Sequence, residues 1–348
     1  MDLDKDKVEN LSLLVIDVLY KRFENFPEDS TENRNAPFHE AFLGAFSDKL
    51  QGKVLDIPFF ISLSSWLHGL NTTLGQTFFE KAAHILSDGE KREYTSKRLG
   101  NLEISKEQKN NINTIMTKLS NSNRKPSLVK ENEILFSNSI NEDTKENAID
   151  FSCDVFIEDE DEIIAIELKS VKPNSGEMRG EKQKILEGKT ALYENFPDKK
   201  VSFYIGFPFD PLSEDPFGKD KDKFSNSIIN LTKYFHNDEI LLADELWDLL
   251  SGIDNTMEQL IDIINSIATT DFLKKYRFLN DKSNINSNKY MEYLEDWNMF
   301  SEIELLKNDE IIKEKIKGNN KLIKIYNNLV FKKEKYNWDR YYKLKELI

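Results

Sequence analysis

Apolar positions in the first quarter of the chain recur at helical spacing. Val8, Leu11, Leu14, Val15, Val18 and Leu19 step by three and four residues and line one face of a helix, which Pro27 and the polar run Glu28 to Asn35 bring to an end. A second helix is predicted from Pro37, with Asn35 in capping position, Phe38, Ala41, Phe42, Ala45 and Phe46 as its apolar face, and Gly52 closing it. From Thr73 the positions Leu74, Phe78, Ala82, Ile85 and Leu86 predict another helix, ending near Asp88-Gly89 and carrying Glu80 and His84 four residues apart among its polar positions. The first 120 residues therefore read as helical.

The middle third changes period. Phe151, Cys153, Val155 and Ile157 alternate with more polar neighbours, and after the acidic turn Glu158 to Asp161 comes the run Ile163 to Leu168, which together predict a hairpin. Pro173, Asn174 and Gly176 mark a turn, Glu177 to Asn195 reads as a helix, and Val201 to Ile205 as a third strand stopped by Gly206 and Pro208. Strand, strand, helix, strand describes a mixed sheet with a helix crossing one face, the α/β class. Beyond Phe224 the pattern is again helical, most clearly at Leu241 to Leu250 and Met257 to Ile267. The polar stretch Asn280 to Ser287 predicts a boundary between residues 1–280, with a helical part over 1–125 and a sheet core over 130–210, and a helical extension over 281–348.

Composition narrows the class. With 348 residues, 23 Phe and 12 Tyr, the chain can bury a core without disulfides. Cys153 is the sole cysteine, which excludes an intramolecular disulfide and cysteine-rich metal sites and makes a reducing cytoplasm the expected setting. No apolar stretch approaches bilayer length, so no membrane partner is expected. The net charge of −14 argues against non-specific coating of nucleic acid. Charge is nonetheless segregated: Lys313 to Lys345 holds eleven Lys or Arg against three acids, interleaved with aromatics, whereas Glu142 to Glu162 holds ten acids. Solvated helix faces produce the same pattern.

Asp154 falls on the first strand of the predicted hairpin, and Glu167 and Lys169 lie two apart at the end of the second, which puts them on one face. Two carboxylates and an ammonium converging across paired strands suit a hard cation such as Mg²⁺, whose chemistry serves phosphodiester hydrolysis. An acid-x-base triplet alone is weak, because 62 acids and 48 bases supply roughly eight by chance. Two readings stand on spacing and setting: a metal-dependent site, or an ion pair at a sheet edge with Asp154 in a turn. The four histidines form no zinc-protease pattern, and neither a Gly-x-Ser-x-Gly elbow nor a Gly-Lys-Thr phosphate loop occurs.

Asp154, the hairpin and Glu167-Leu168-Lys169 resemble the PD-(D/E)xK signature of restriction-like nucleases, with Cys153 standing where the pattern has Pro. The stretches Glu167 to Gly180 and Ser65 to Gln76 are similar to the TdeIII family of Type II restriction endonucleases, a likeness running from about Val8 to Ile267. The resemblance implies a restriction-endonuclease-like mixed central sheet wrapped by helices, Asp154 and Glu167 as Mg²⁺ ligands, and Lys169 as the catalytic lysine. It implies a further acid from a helix before the sheet, for which Glu80 is the first candidate and Glu40 the second. Phosphate contacts from the helix after the sheet would fall to Lys172, Arg179, Lys182 and Gln183. The expected protein is a Type II restriction endonuclease acting on double-stranded DNA as a homodimer, at a short palindrome such as GGNCC, with a cognate DNA methyltransferase as genetic partner. A repair or structure-specific nuclease on the same scaffold and a non-catalytic DNA-binding module are the alternatives.

Overall fold

In the computed structural model of the chain, residues 1–27, 37–54, 57–136, 145–169 and 177–348 are described, apart from the side chain of Glu40; Asn35 and Lys172 fall outside them. They form two compact units, one of residues 1–3 with 79–259 and one of residues 4–78 with 260–348. The expected boundary at Asn280 to Ser287 does not coincide with this division. There Asn280 exchanges hydrogen bonds with the Phe331 main chain and Phe278 stacks edge-on against Tyr293, so a polar stretch that looks like a linker is packed inside its unit.

The first unit is built on a sheet. Its strands are β1 (Glu90–Tyr94), β2 (Glu103–Ser105), β3 (Lys145–Asn147), β4 (Phe151–Glu158), β5 (Glu162–Leu168), β6 (Lys200–Phe207) and β7 (Ile240–Leu242). Five run in the order β1-β4-β5-β6-β7, while β2 and β3 pair separately. The alternation read from the sequence places Cys153, Val155, Ile163 and Ala165 in the core and makes β4 and β5 the expected antiparallel hairpin, with Val155 opposite Ile166. β5 and β6 run parallel, which demands a crossover, and the helix Glu177–Asn195 supplies it. Gly188 lets that helix approach the sheet, since a Cβ there would lie 2.8 Å from both the Phe151 and Phe203 rings. β7 continues the parallel pairing beyond β6.

Three strands of this unit, β1, β2 and β7, lie in segments that read as helical. β1 (Glu-Lys-Arg-Glu-Tyr) buries only Tyr94 and pairs antiparallel with β4 at the sheet edge, and an edge strand of charged residues carries no period-two apolar signal. Arg92 on it lies 3.9 Å over the Phe156 ring and binds Glu158. β2 and β7 are three residues long each, too short to show a period. The helix Lys106–Ser120, which follows β2, is capped by Ser105 and Gln108 in a reciprocal box and buries Ile112, Ile115, Met116 and Leu119, spaced as a helix face requires.

The second unit is mainly helical. The helix Lys5–Glu24 is capped by Asp4 and buries Leu11, Leu14, Val15 and Val18 as the periodicity predicts. Its Glu9 carboxylate accepts hydrogen bonds from the Ser301 main chain and hydroxyl, tying the first helix to the C-terminal ones. The cationic tail packs rather than trailing into solvent: buried Arg340 donates from Nη1 to both oxygens of Glu302, which also accepts from the Tyr336 hydroxyl. Among the described residues no helix is long and apolar enough to cross a membrane.

Candidate active site

The β4–β5 register sets the site. Val155 opposite Ile166 places positions 154 and 167 next in the ladder, with their side chains on the face opposite that pair. The Leu168 amide donates to Asp154 Oδ2 at 3.0 Å, and His84 on the helix Phe79–Ser87 lies 2.7 Å, through Nε2, from the Asp154 carbonyl. A carbonyl only accepts, so the imidazole carries its proton on Nε2 in this bond. Both contacts fix how Asp154 presents its remaining oxygen, Oδ1.

Glu167 is 5% exposed and engages its ammonium partners through one oxygen. Its Oε1 lies 3.0 Å from Lys169 Nζ and 2.6 Å from Lys184 Nζ, whereas Oε2 is buried with no hydrogen-bond partner. Burial, and then the charge of Asp154, push the Glu167 carboxyl above the ordinary carboxylate range, an effect that Lys184 and Lys169 only partly offset. Lys169 follows β5, its amide bonded to the Gly206 carbonyl, and also lies 2.8 Å from Glu181 Oε1. Burial pulls its ammonium down, but Glu167 and Glu181 outweigh that and hold it well above the ordinary lysine range. Glu80 reaches the cluster through a bridge: Lys91 Nζ on β1 lies 3.1 Å from Glu80 Oε2 and 3.1 Å from Asp154 Oδ1.

The structure therefore brings Asp154, Glu167, Lys169 and Glu80 together around four charged or polar neighbours that sequence reasoning missed: Lys91, Glu181, Lys184 and His84. Glu181 and Lys184 share a helix face at i,i+3 spacing, a signal that every solvated helix also shows. Lys91 gives none, because its segment was read as non-strand. Glu80 and His84, four residues apart, make separate contacts, Glu80 to Lys91 and His84 to the Asp154 main chain.

The phosphate contacts fare differently. Arg179 is exposed and Gln183 half-exposed on the helix Glu177–Asn195, while Lys172 and the side chain of Glu40 lie outside the described residues. Lys182 is a correction: it is fully buried, 2.6 Å from Glu131 Oε2 and ion-paired to Glu239 at 2.5 Å, so it cannot face a duplex. The helix turns one face inward, and sequence alone did not reveal that Lys182 falls on it.

A buried carboxylate oxygen without a partner, beside a second carboxylate oxygen held by a single ammonium, is a donor set that fits a hard divalent ion. Among the described residues no group of three or more His, Cys, Asp and Glu side chains is disposed to hold a metal. An ion here would thus rely on two carboxylates with water and phosphate oxygens, which is the habit of Mg²⁺. A cavity of 1550 Å³ in the other unit, lined by residues including Phe38, Phe42, Trp66 and His68, contains none of these groups.

Comparison with known proteins identifies the class. A family model described as the Type II restriction endonuclease HinfI matches residues 5–268. The Type II restriction enzyme MjaII of Methanocaldococcus jannaschii is 41% identical over the whole chain and 98% of its own length. No solved structure matches. The chain is thus a site-specific deoxyribonuclease, of a class that acts on double-stranded DNA and generally needs divalent metal ions. Within that class the chain belongs to the HinfI family of Type II restriction endonucleases. The sequence resemblance had pointed to the same class through a different family, TdeIII. Catalysis as such removes the non-catalytic DNA-binding module from consideration.

Proposed function

We infer that the chain is a PD-(D/E)xK endonuclease that hydrolyses phosphodiester bonds in double-stranded DNA with Mg²⁺ held by Asp154 and Glu167, at a short specific sequence. The observation that carries this reading is the meeting of Asp154, Glu167 and Lys169 with the Glu167 Oε2 oxygen buried and unpartnered. When bound, the ion makes a water more acidic and stabilises charge growing on phosphorus. The chain's own residues orient that chemistry. Leu168 N–H and His84 aim Asp154, while Lys169 and Lys184 pin one oxygen of Glu167 and leave the other directed away from them.

Lys169 acts as a cation. Two carboxylates keep its proton in place, so it suits binding a phosphate oxygen and countering its charge better than taking a proton from water. Glu80 is a carboxylate of the same site, reached through Lys91. Cutting both strands of a palindrome calls for two such sites related by a two-fold axis, which supports a homodimer, and a protected host genome calls for a cognate methyltransferase. The proposed target is an interrupted palindrome of the GGNCC kind, on the sequence resemblance.

The test uses Asp154→Ala and Lys169→Ala proteins with native circular dichroism, incubated with plasmid DNA and Mg²⁺. Loss of the discrete fragments that the wild type yields is expected. Wild-type cleavage by folded Asp154→Ala protein would overturn the assignment, and a smear in place of discrete wild-type bands would return the structure-specific nuclease.

A further inference from the structure

We propose that Lys91 is a tethered counter-ion that bridges Glu80 and Asp154, occupies the Asp154 oxygen the divalent ion needs, and couples entry of that ion to the binding of DNA. This rests on the reading of Asp154 and Glu167 as the ion's ligands. Three lysines enter the cluster, and they divide unequally. Lys169 and Lys184 both bind Glu167 Oε1 and Glu181, with side chains 15% and 18% exposed. Lys91 alone, among the described residues, is ion-paired to Asp154, and its side chain is 37% exposed.

The oxygens decide what that means. Asp154 Oδ2 is committed to the Leu168 amide and Glu167 Oε1 to two ammonium groups, so the oxygens left for an ion are Asp154 Oδ1 and Glu167 Oε2. Lys91 Nζ sits 3.1 Å from the first of these and equally far from Glu80 Oε2. An ammonium lying between two carboxylates from different elements marks where the protein's field favours a cation. It offsets their repulsion in the DNA-free protein and competes with an incoming ion for Asp154 Oδ1.

The stem of Lys91 is long and flexible, and it springs from an edge strand with more than a third of the side chain in solvent, so the ammonium can swing away. In the free protein leaving Asp154 exchanges one anionic partner for water. With a duplex in place, a backbone phosphate supplies a replacement anion. DNA thereby lowers the cost of admitting the ion, and by linkage the ion favours DNA to the same degree. The device would keep the hydrolytic metal out of an enzyme that holds no substrate.

The test is Mn²⁺ binding to the full-length, DNA-free protein, followed by calorimetry. Lys91→Met is expected to bind Mn²⁺ about tenfold more tightly than the wild type, since two half-exposed ion pairs no longer oppose the ion. Lys91→Arg, which keeps the charge, is expected to bind as the wild type does. Adding Asp154→Asn to Lys91→Met is expected to remove the gain. Adding a duplex that carries the cleaved sequence should tighten Mn²⁺ binding in the wild type and do so several-fold less in Lys91→Met. Equal or weaker Mn²⁺ binding by folded Lys91→Met protein, with Asp154→Asn still abolishing it, overturns the role of Lys91 and leaves the metal site standing. Mn²⁺ binding that is indifferent to Asp154→Asn overturns the metal site, and the proposal with it.

Discussion

One helix, Glu177–Asn195, serves two charged clusters of opposite character. On one face Glu181 and Lys184 join Lys169, Glu167, Asp154, Lys91 and Glu80, a set of four carboxylates and three ammonium groups that is partly open to solvent and leaves Glu167 Oε2 without a partner. On another face Lys182 and Lys189 lie buried near Glu131 and Glu239, two cations with two anions, and Lys189 also donates to Asn132 at 2.6 Å. Residue type does not separate the clusters; balance and access do. Sealed carboxylates need a directly paired cation, as Lys182 is to Glu131 and Glu239, whereas an open set can keep an excess of negative charge for a ligand to neutralise.

The same substitution on the two faces should break different things. Lys169→Met is expected to lower the cleavage rate by about a thousandfold, the scale for losing a fixed charge aimed at a transition state, with thermal stability shifted by only a few degrees. Lys182→Met strands two buried carboxylates and is expected to cost about 3–5 kcal/mol of stability, while the molecules that remain folded cleave normally. Denaturant melts and single-turnover cleavage on both proteins check the pair. Lys182→Met protein that is fully stable but inactive would reverse the comparison and restore Lys182 to the DNA contacts.

A smaller effect distinguishes the two lysines of the buried cluster. Burial lowers the Lys189 ammonium to about 8, with Lys182 adding to the fall and Glu239 and Glu131 opposing it. The unfolded chain holds this proton up to a higher pH than the native protein does, so the charge on Lys189 costs stability. The cost is at its full value below about pH 8 and disappears as pH climbs toward the ordinary lysine value of 10.5. Lys189→Met is therefore expected to stabilise the protein by about 1–3 kcal/mol at pH 7, a gain that shrinks across pH 8 to 10.5. Melts at pH 7 and pH 10 measure both the sign and the window. A destabilised variant at pH 7 would show that the bond to Asn132 outweighs the buried charge.

How much of this was legible depends on which force leaves a mark in sequence. Burial does: the alternation in Phe151 to Ile157 and the run Ile163 to Leu168 gave the hairpin, its facing acids and the crossover helix, because a strand between core and solvent must alternate. Pairing at an edge does not, so β1 and its Lys91 went unread. Nor does the direction of a long side chain on a crossover helix. Lys182 and Arg179 are three residues apart and look alike in sequence; one is sealed against Glu131 and Glu239, and the other stands in solvent. The triplet at Glu167 was common by chance, and what made it informative was its place at the end of an apolar strand.

Arg179 supplies the mildest test of where DNA lies on this helix. It lies in the first turns of the helix, exposed, with its Nε 3.4 Å from the Ser120 hydroxyl, too long a bond to hold the guanidinium against a better anion. If the duplex also runs past the exposed first turns of this helix, that guanidinium meets a backbone phosphate and contributes through counter-ion release rather than base recognition. Arg179→Ala is then expected to weaken duplex binding by about two- to fivefold at moderate salt, to lower the slope of log affinity against log salt by about one, and to act equally on specific and unrelated duplexes. Gln183→Ala, which removes no charge, should leave the slope unchanged. Fluorescence anisotropy in Ca²⁺ at several salt concentrations reads both. A loss confined to the specific duplex would make Arg179 a reader of bases, and no loss at all would move the DNA path to another side of the helix.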